Sequence, residues 1–308
     1  MVLGPRRATA GQTVRVSVPT GDLHQRVLSW YDRHARDLPW RDPDAGAWAV
    51  LVSEIMLQQT PVARVLPAYR AWLDRWPTPA ALAADSVGAA VRAWGRLGYP
   101  RRAMRLHQAA TTITARHGGV VPDDVEALRE LPGIGDYTAA AVAVFAYHRR
   151  LPVLDTNVRR VLARAVDGTA LPGPSVRVAE RETARELLPT DSAEAARWSV
   201  AVMELGALVC TARGPRCDGC PIADRCRWRG GGYPAYDGPR RPTQSYDGTD
   251  RQCRGALLAV LRDAAGPVHR RELEAVWDRS PQRERALDGL VADGLVEPLD
   301  GDRFALPR

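Results

Sequence analysis

The 308-residue sequence contains no lysine, and all 43 of its basic residues are arginine. Coding bias is the ordinary cause, since the chain is also rich in Ala, Gly and Pro. The chemical consequence holds whatever the cause. Without a lysine amine, the chain cannot form a lysine Schiff base with a carbonyl or sugar carbon.

Long apolar runs are also absent. No stretch of 18 or more apolar residues occurs, so the sequence predicts no membrane-spanning helix and no membrane partner. The N-terminus carries Arg6, Arg7 and Arg15 but no apolar block of signal-peptide length. Residues 1–21 therefore read as a disordered leader, and we expect the protein to be cytoplasmic.

Cysteine is scarce, but its distribution is uneven. Four of the five cysteines, Cys210, Cys217, Cys220 and Cys226, follow the spacing C-x6-C-x2-C-x5-C. Such crowding in a reducing compartment indicates a metal site rather than a disulfide framework. Four thiolates can hold either a tetrahedral zinc ion or a [4Fe-4S] cluster, and the spacing alone leaves both open. Cys253 lies outside this loop, and we expect no catalytic role for it.

Charge of one sign is in modest excess. The formal net charge is +7 and the pI is about 9.5. This permits a polyanionic partner without establishing one.

The periodicity of apolar residues up to Cys226 is that of helices, with almost no strand alternation. It predicts an all-α fold whose helices cover 22–37, 48–59, 62–76, 86–95, 101–117, 123–130, 136–148, 157–166, 176–187 and 192–209. Residues 227–250, rich in Gly, Pro, Arg and Tyr, read as a linker. Residues 251–308 predict helices over 251–263, 269–278 and 281–293 and a hairpin around Asp300-Gly301, an order that resembles a small winged-helix domain.

Two carboxyl groups stand out. Glu54 is the only ionisable side chain between Trp48 and Thr60, so its apolar neighbours should raise its pKa and suit it to general acid catalysis. An exposed position on the polar face is the alternative. Asp155 follows an apolar run and precedes the helix from Asn157, where a plain N-cap is the alternative to a catalytic role. A protonated Glu54 beside an Asp155 kept ionised by the helix dipole is an arrangement that breaks glycosidic bonds.

The segment Leu131-Pro-Gly-Ile-Gly135 predicts a tight turn between two helices. Gly133 and Gly135 allow close backbone approach, and the free amides of the following helix suit a phosphate oxygen. A simple helix–helix corner is the alternative.

Taken together, these segments resemble the MutY-type adenine-specific mismatch glycosylases of the helix-hairpin-helix, Gly-Pro-Asp superfamily. The resemblance covers 23–226, the predicted glycosylase domain being 22–226. It is carried by Trp40-Arg41, 53–60, Gly98-Tyr99, 131–138, 154–158 and the four cysteines. It implies a two-lobed helical fold and a [4Fe-4S] cluster on those cysteines.

The resemblance also implies roles for single residues. Glu54 protonates adenine N7, Asp155 stabilises the sugar cation, and Tyr137 and Asn157 support them. The residues expected to contact DNA are Gln58, Gln59, Thr60, Leu97, Tyr99, Gly133, Gly135, Arg36 and Trp40. Among them Tyr99 would wedge into the base stack, while Arg36 and Trp40 lie near the flipped adenine. The implied partner is duplex DNA with adenine opposite 8-oxoguanine or guanine, bound by a monomer.

The sequence departs from the family pattern in two ways that concern recognition of 8-oxoguanine as the base opposite adenine. Family members typically end in a larger Nudix-like domain that checks for 8-oxoguanine, whereas about 80 residues follow Cys226 here. Pro100 stands where an aromatic residue commonly follows the wedge tyrosine.

Related bifunctional enzymes carry a lysine at the position of Tyr137, so we expect a monofunctional enzyme that leaves the strand intact. Pyrimidine-specific relatives lack an acid at the position of Glu54, and a non-catalytic DNA-binding protein would have no use for both carboxyls.

Overall fold

The computed structural model describes residues 20–239 and 246–308. Most of the expected leader and part of the expected linker lie outside these residues. The described residues form helices α1 Thr20–His34, α2 Gly46–Leu57, α3 Val62–Arg75, α4 Pro79–Ala83, α5 Val87–Trp94, α6 Arg101–Arg116, α7 Val125–Glu130, α8 Asp136–Tyr147, α9 Thr156–Leu162, α10 Val178–Glu186, α11 Ser192–Leu208, α12 Arg227–Gly230, α13 Asp250–Asp263, α14 Arg270–Glu274 and α15 Ser280–Ala292. In this part of the chain no helix is long and apolar enough to cross a membrane.

The all-α prediction is confirmed, and the helices are arranged in two lobes. Helices α2 to α8 enclose one large core, around fully buried tryptophans such as Trp72 and Trp94. Helices α1, α9, α10 and α11 enclose a second core around Trp30 and Trp198. A small third cluster, which includes Ala141 of α8 and Ala196 of α11, joins the lobes.

The helix ends follow from local sequence. Ser86, Asp124, Asp155 and Asp191 each accept a hydrogen bond from a backbone amide of the helix they precede. Such caps satisfy amide groups that the helix itself leaves unpaired. Helix α2 differs because all nine of its residues from Trp48 to Met56 are buried, so packing rather than capping stabilises it.

The helix predicted over 157–166 changes character on the way. Regular α-helix ends at Leu162, and a π-helical turn follows over Ala163–Asp167. The insertion places Arg164 so that its guanidinium reaches the thiol of Cys210, at 3.3 Å.

Residues 250–306 form a C-terminal module of three helices and a three-stranded antiparallel sheet, in the order α13, β1 Val268–His269, α14, α15, β2 Glu297–Leu299 and β3 Arg303–Ala305. The helix predicted over 269–278 is wrong at both ends and covers only Arg270–Glu274. Its first residue belongs to β1, because Val268 and His269 pair with Phe304 and Arg303 of β3. The core of the module is continuous with the core of α2 to α8.

Candidate functional site

Glu54 lies on α2, on the side that faces α8, and is 6% exposed. Burial raises its pKa from 4.5 to about 7, a hydrogen bond with Tyr137 opposes the rise, and the charge of Asp155 adds to it. The exposed-face alternative is therefore wrong. Near neutral pH this carboxyl is present in both protonation states, which suits a group that gives and later takes a proton.

Asp155 is the N-cap of α9. Its side chain accepts hydrogen bonds from the backbone amide of Val158, at 2.6 Å, and from the side-chain amide of Asn157, at 2.7 Å. Burial raises the pKa of Asp155 above its ordinary value, and these hydrogen bonds oppose that rise. The capping interpretation holds, but the helix start does not depress the pKa of Asp155 as the dipole argument had led us to expect.

Tyr137, in the first turn of α8, forms a hydrogen bond with Glu54. Its pKa is raised well above 10 by burial and by the charges of Glu54 and Asp155. The tyrosine stays a neutral O–H group that can donate to a carboxylate oxygen. One lobe thus supplies Glu54 and Tyr137, and the other supplies Asp155, whose charge raises the pKa of both.

The sequence reasoning missed Glu204, a fully buried carboxylate on α11. The Arg36 guanidinium donates to both of its oxygens, at 2.8 and 2.6 Å, the Arg36 backbone amide donates at 2.9 Å, and Arg41 adds a fourth hydrogen bond, at 2.7 Å. Burial alone would raise the pKa of Glu204, but these donors outweigh it and lower the pKa to about 2. The positive charge of Arg41 also acts on Glu54, whose pKa it lowers.

Two residues that were predicted to contact DNA, Arg36 and Trp40, lie in this ion-pair network or directly beside it in the sequence. Arg36 is committed to Glu204, with about a third of its side chain exposed. Trp40 is 9% exposed and packs edge-on against Tyr69, with ring centroids 5.1 Å apart. Arg36 thus links the segment after α1 to α11, and Trp40 belongs to the core around α2.

A second missed residue is Gly206 on α11. A Cβ atom there would lie 2.7 Å from the Cβ of Asn157 and 2.8 Å from its carbonyl oxygen. The start of α9 therefore approaches α11 at a distance that only glycine permits. Arg160 fastens the same contact by donating to the Asn157 side chain and to the Gly206 carbonyl, at 2.8 and 2.7 Å.

The predicted contacts at 58–60 and 97–99 lie on two loops that hydrogen bonds join beside the end of α2. Gln59 and Tyr99 both have positive φ, 55° and 48°, and the Tyr99 hydroxyl donates to the Gln59 side chain at 2.8 Å. Thr60 is buried, and its hydroxyl donates to the Leu97 carbonyl at 3.2 Å. Left-handed backbone in non-glycine residues is strained, and such strain is typical of functional loops.

Arg102, also missed from the sequence, holds these two loops. It is buried and donates to the carbonyls of Ile55, Met56 and Gln58 at the end of α2, at 2.6 to 3.1 Å. Its other nitrogen donates to the Thr60 hydroxyl and to the Gly98 carbonyl, at 3.1 and 3.0 Å. Gln58 itself donates to Thr138 of α8, at 3.3 Å.

The turn before α8 has the geometry that its glycines predict. Gly133 has φ +82°, and a Cβ there would meet the side chain of Arg105 at 2.8 Å. Gly135 is exposed, has no atom within 4 Å of a hypothetical Cβ, and directly precedes α8. The amides at the start of α8 are therefore open to an approaching anion.

The four cysteines of the loop after α11 lie near one another. The charges of Cys210, Cys217 and Cys226 all act to raise the pKa of Cys220, which burial raises to about 11. Arg164 donates to the Cys210 sulfur at 3.3 Å, and its guanidinium stacks 4.4 Å from the Trp228 ring centroid. Four soft donors beside a buried cation fit an anionic thiolate centre.

Within the described residues, no three His, Cys, Asp or Glu side chains are close enough together to hold one metal ion. The four thiols nevertheless lie near enough for three of them to raise the pKa of Cys220. Both observations fit a cubane cluster, because its four ligands stand further apart than the four ligands of a single ion.

Comparison with known families gives two matches. Residues 52–184 match the HhH-GPD superfamily of base excision DNA repair proteins. Residues 210–226, which contain the four cysteines, match the iron-sulfur binding domain of endonuclease III, and the protein has a [4Fe-4S] cluster.

Comparison with individual proteins gives the following likenesses. The adenine DNA glycosylase of Mycobacterium tuberculosis is 56% identical over 94% of this chain and 95% of its own length. The thymine-DNA glycosylase of Aeropyrum pernix is 37% identical over 66% of this chain and 92% of its own length. The solved structure of a thermostable thymine-DNA glycosylase aligns with a TM-score of 0.61 at 24% identity, over 69% of this chain and 97% of that one, and shows the shared fold.

Proposed function

The chain belongs to the MutY-type adenine DNA glycosylases of the HhH-GPD superfamily, and on that premise we propose that it hydrolyses the N-glycosidic bond of adenine mispaired with 8-oxoguanine or guanine in duplex DNA. One observation carries the chemistry. A carboxyl group whose pKa is raised to about 7 lies next to a second carboxyl that is hydrogen-bonded at a helix start.

Departure of adenine as an anion is slow, so its leaving must be assisted by protonation. We assign Glu54 as the acid that gives a proton to adenine N7, which its raised pKa and its hydrogen bond with Tyr137 support. As the bond lengthens, positive charge develops on the sugar. Asp155, fixed by Asn157 and the Val158 amide, is the carboxylate that stabilises it. Glu54, once ionised, takes a proton from the attacking water.

Adenine inside a duplex cannot reach a carboxyl that is 6% exposed, so the base must leave the stack. We assign the space of the orphaned partner base to Gln59, Thr60, Leu97 and Tyr99, with Tyr99 as the wedge. Its ring is 41% exposed, large enough to fill a vacated stacking position. Gly135 and the first amides of α8 are assigned to a backbone phosphate.

Strand cleavage is not part of the proposed activity. Cleavage by relatives of this superfamily uses a lysine, and this sequence has none. Tyr137 occupies the corresponding position and serves Glu54 instead.

The cluster is given a structural role. Base hydrolysis transfers no electron, and the cysteine loop packs beside α9, whose first residues hold Asp155 and Asn157. Loaded iron and its visible absorbance should be lost together in a Cys220→Ser variant.

The test of the function measures base release from duplexes that pair adenine with 8-oxoguanine, guanine or cytosine, with thymine opposite guanine as a fourth substrate. Release of adenine from the first two, with strand scission only after alkali, is expected. Release of thymine instead would favour the thymine-specific branch. A wild-type protein that binds DNA and releases no base would establish a non-catalytic DNA-binding protein, and strand scission trapped by borohydride would contradict the monofunctional assignment.

A further inference from the structure

The side chain of Arg251 lies against the ring of Tyr99, although the two residues belong to different parts of the molecule. Arg251 is exposed in the first turn of α13, in the C-terminal module, and its guanidinium carbon is 4.8 Å from the Tyr99 ring centroid. The same guanidinium carbon also lies 5.9 Å from the centroid of the Tyr246 ring. Tyr99 and Tyr246 are 41% and 51% exposed.

The position of Arg251 is fixed by the way the module packs. Arg92 of α5 donates to the carbonyls of Arg262 and Ala264 at the end of α13, and Arg262 donates back to the Val91 carbonyl at 3.1 Å. Arg101 pairs with Asp293 at 3.3 Å. Since the C-terminal module and helices α2 to α8 also share one apolar core, α13 has a fixed position relative to the loop that carries Tyr99.

We propose that Arg251 is a positioning residue for Tyr99, so that the C-terminal module sets how firmly the protein engages the base opposite the excised one. The inference rests on the proposed function. The Tyr99 hydroxyl is held by Gln59 and its ring also lies 5.4 Å from the guanidinium of Arg102, so Arg251 completes a set of contacts that restrict the ring. A wedge that is restricted before DNA arrives loses less conformational entropy when it enters the stack.

The charge of the module favours this role over independent DNA reading. Residues 251–308 contain ten arginines and ten acidic residues, so the excess positive charge of the chain lies entirely in residues 1–250. A domain that bound the phosphate backbone by itself would need a basic face. Arg251 is instead engaged by two tyrosine rings.

The experiment measures binding to a duplex with a non-hydrolysable 2′-fluoro-adenosine opposite 8-oxoguanine, and the fluorescence of a 2-aminopurine next to the orphaned base. Arg251→Met keeps the aliphatic stem and removes the charge. It should weaken binding about two- to fivefold, the range of an exposed cation–π contact, and lower the fluorescence change. Arg251→Lys should recover part of both, and Arg271→Met, at an exposed arginine of α14, should leave both unchanged.

A double-mutant cycle separates the proposal from its main rival. In a Tyr99→Leu background, Arg251→Met should have no further effect, because the residue that it positions is gone. Effects that multiply, together with a salt dependence reduced by about one counterion, would show that Arg251 contacts a phosphate directly and would overturn the proposal. An Arg251→Met protein identical to wild type would also overturn it. Failure of the proposed function itself appears separately, as a wild-type protein that releases no adenine.

Discussion

The two walls of the site treat a buried carboxyl group in different ways. The wall built by α2 surrounds Glu54 with apolar side chains and offers it a hydrogen bond from Tyr137. The wall built by the start of α9 surrounds Asp155 with donors, two from Asn157 and one from the amide of Val158. Burial raises the pKa of both groups, to about 7 for Glu54, whereas at Asp155 three hydrogen-bond donors oppose the rise.

The difference shows how one fold obtains an acid and a carboxylate from the same functional group. A desolvated carboxyl keeps its proton, whereas donors stabilise the ionised form. We therefore assign proton donation to the α2 wall and stabilisation of the sugar cation to the α9 wall. Substitutions that alter one wall and leave the other intact test this division.

The largest effect is expected for Glu54→Gln. The amide keeps the size of the side chain and removes the proton, so single-turnover release of adenine should fall by about 10²- to 10⁴-fold. Binding to the duplex should persist. Glu182→Gln, at an exposed glutamate of α10, is the matched control and should release adenine at the wild-type rate.

The second effect separates the charge of Asp155 from its cap. Asn is as good an N-cap as Asp, so Asp155→Asn should retain the melting temperature while base release drops by about 10²- to 10³-fold. Asp155→Ala removes both functions and should also lose about 1 kcal/mol of folding free energy. Equal rates in wild type and Asp155→Asn would mean that the carboxylate does not stabilise the sugar.

The third prediction uses pH to test the apolar wall. A Glu54 pKa raised from 4.5 to about 7 means that the folded protein holds one more proton than the unfolded chain between these values. The contribution of Glu54 to stability should therefore fall as pH rises from 4.5 to 7, by up to about 3 kcal/mol. Denaturant titrations should show this fall in wild type and its loss in Glu54→Gln. Parallel pH profiles for both proteins would mean that Glu54 is not desolvated.

The smallest effect is expected at Gly206, which lets the α9 wall approach α11. Gly206→Ala places a methyl group against Asn157 and should destabilise the fold by about 1–3 kcal/mol. Gly21→Ala in α1, where nothing lies within 4 Å, is the control, and it should be neutral or slightly stabilising. Chemical denaturation measures both. If the Gly206→Ala protein were as stable as the control, the close approach of α9 to α11 would be wrong.

Local sequence was enough to predict the apolar surroundings of Glu54, because many of its neighbours belong to its own helix. It also predicted the N-cap at Asp155, because a cap involves only the next three residues. It did not predict Glu204, whose partners Arg36 and Arg41 lie more than 160 residues away along the chain. The role of Arg102 was hidden for the same reason, since five of its acceptors are backbone carbonyls that only the fold brings together.

Short elements were also missed. Strand β1 has two residues, too few for an alternating pattern, and exists because β3 pairs with it. The π-helical turn after Leu162 accompanies a long-range contact, from Arg164 to Cys210 of the cysteine loop, across 46 residues. Gly206 left one signal, a glycine inside an otherwise regular helix, which indicates close packing.

The most direct test of the account is a ¹³C NMR titration of the glutamate carboxyl groups, with Glu54 assigned by comparison with Glu54→Gln. We predict a single glutamate resonance that titrates near pH 7 and disappears in the variant. A Glu54 resonance that titrates near 4.5, the ordinary value for glutamate, would contradict the assignment of Glu54 as the acid.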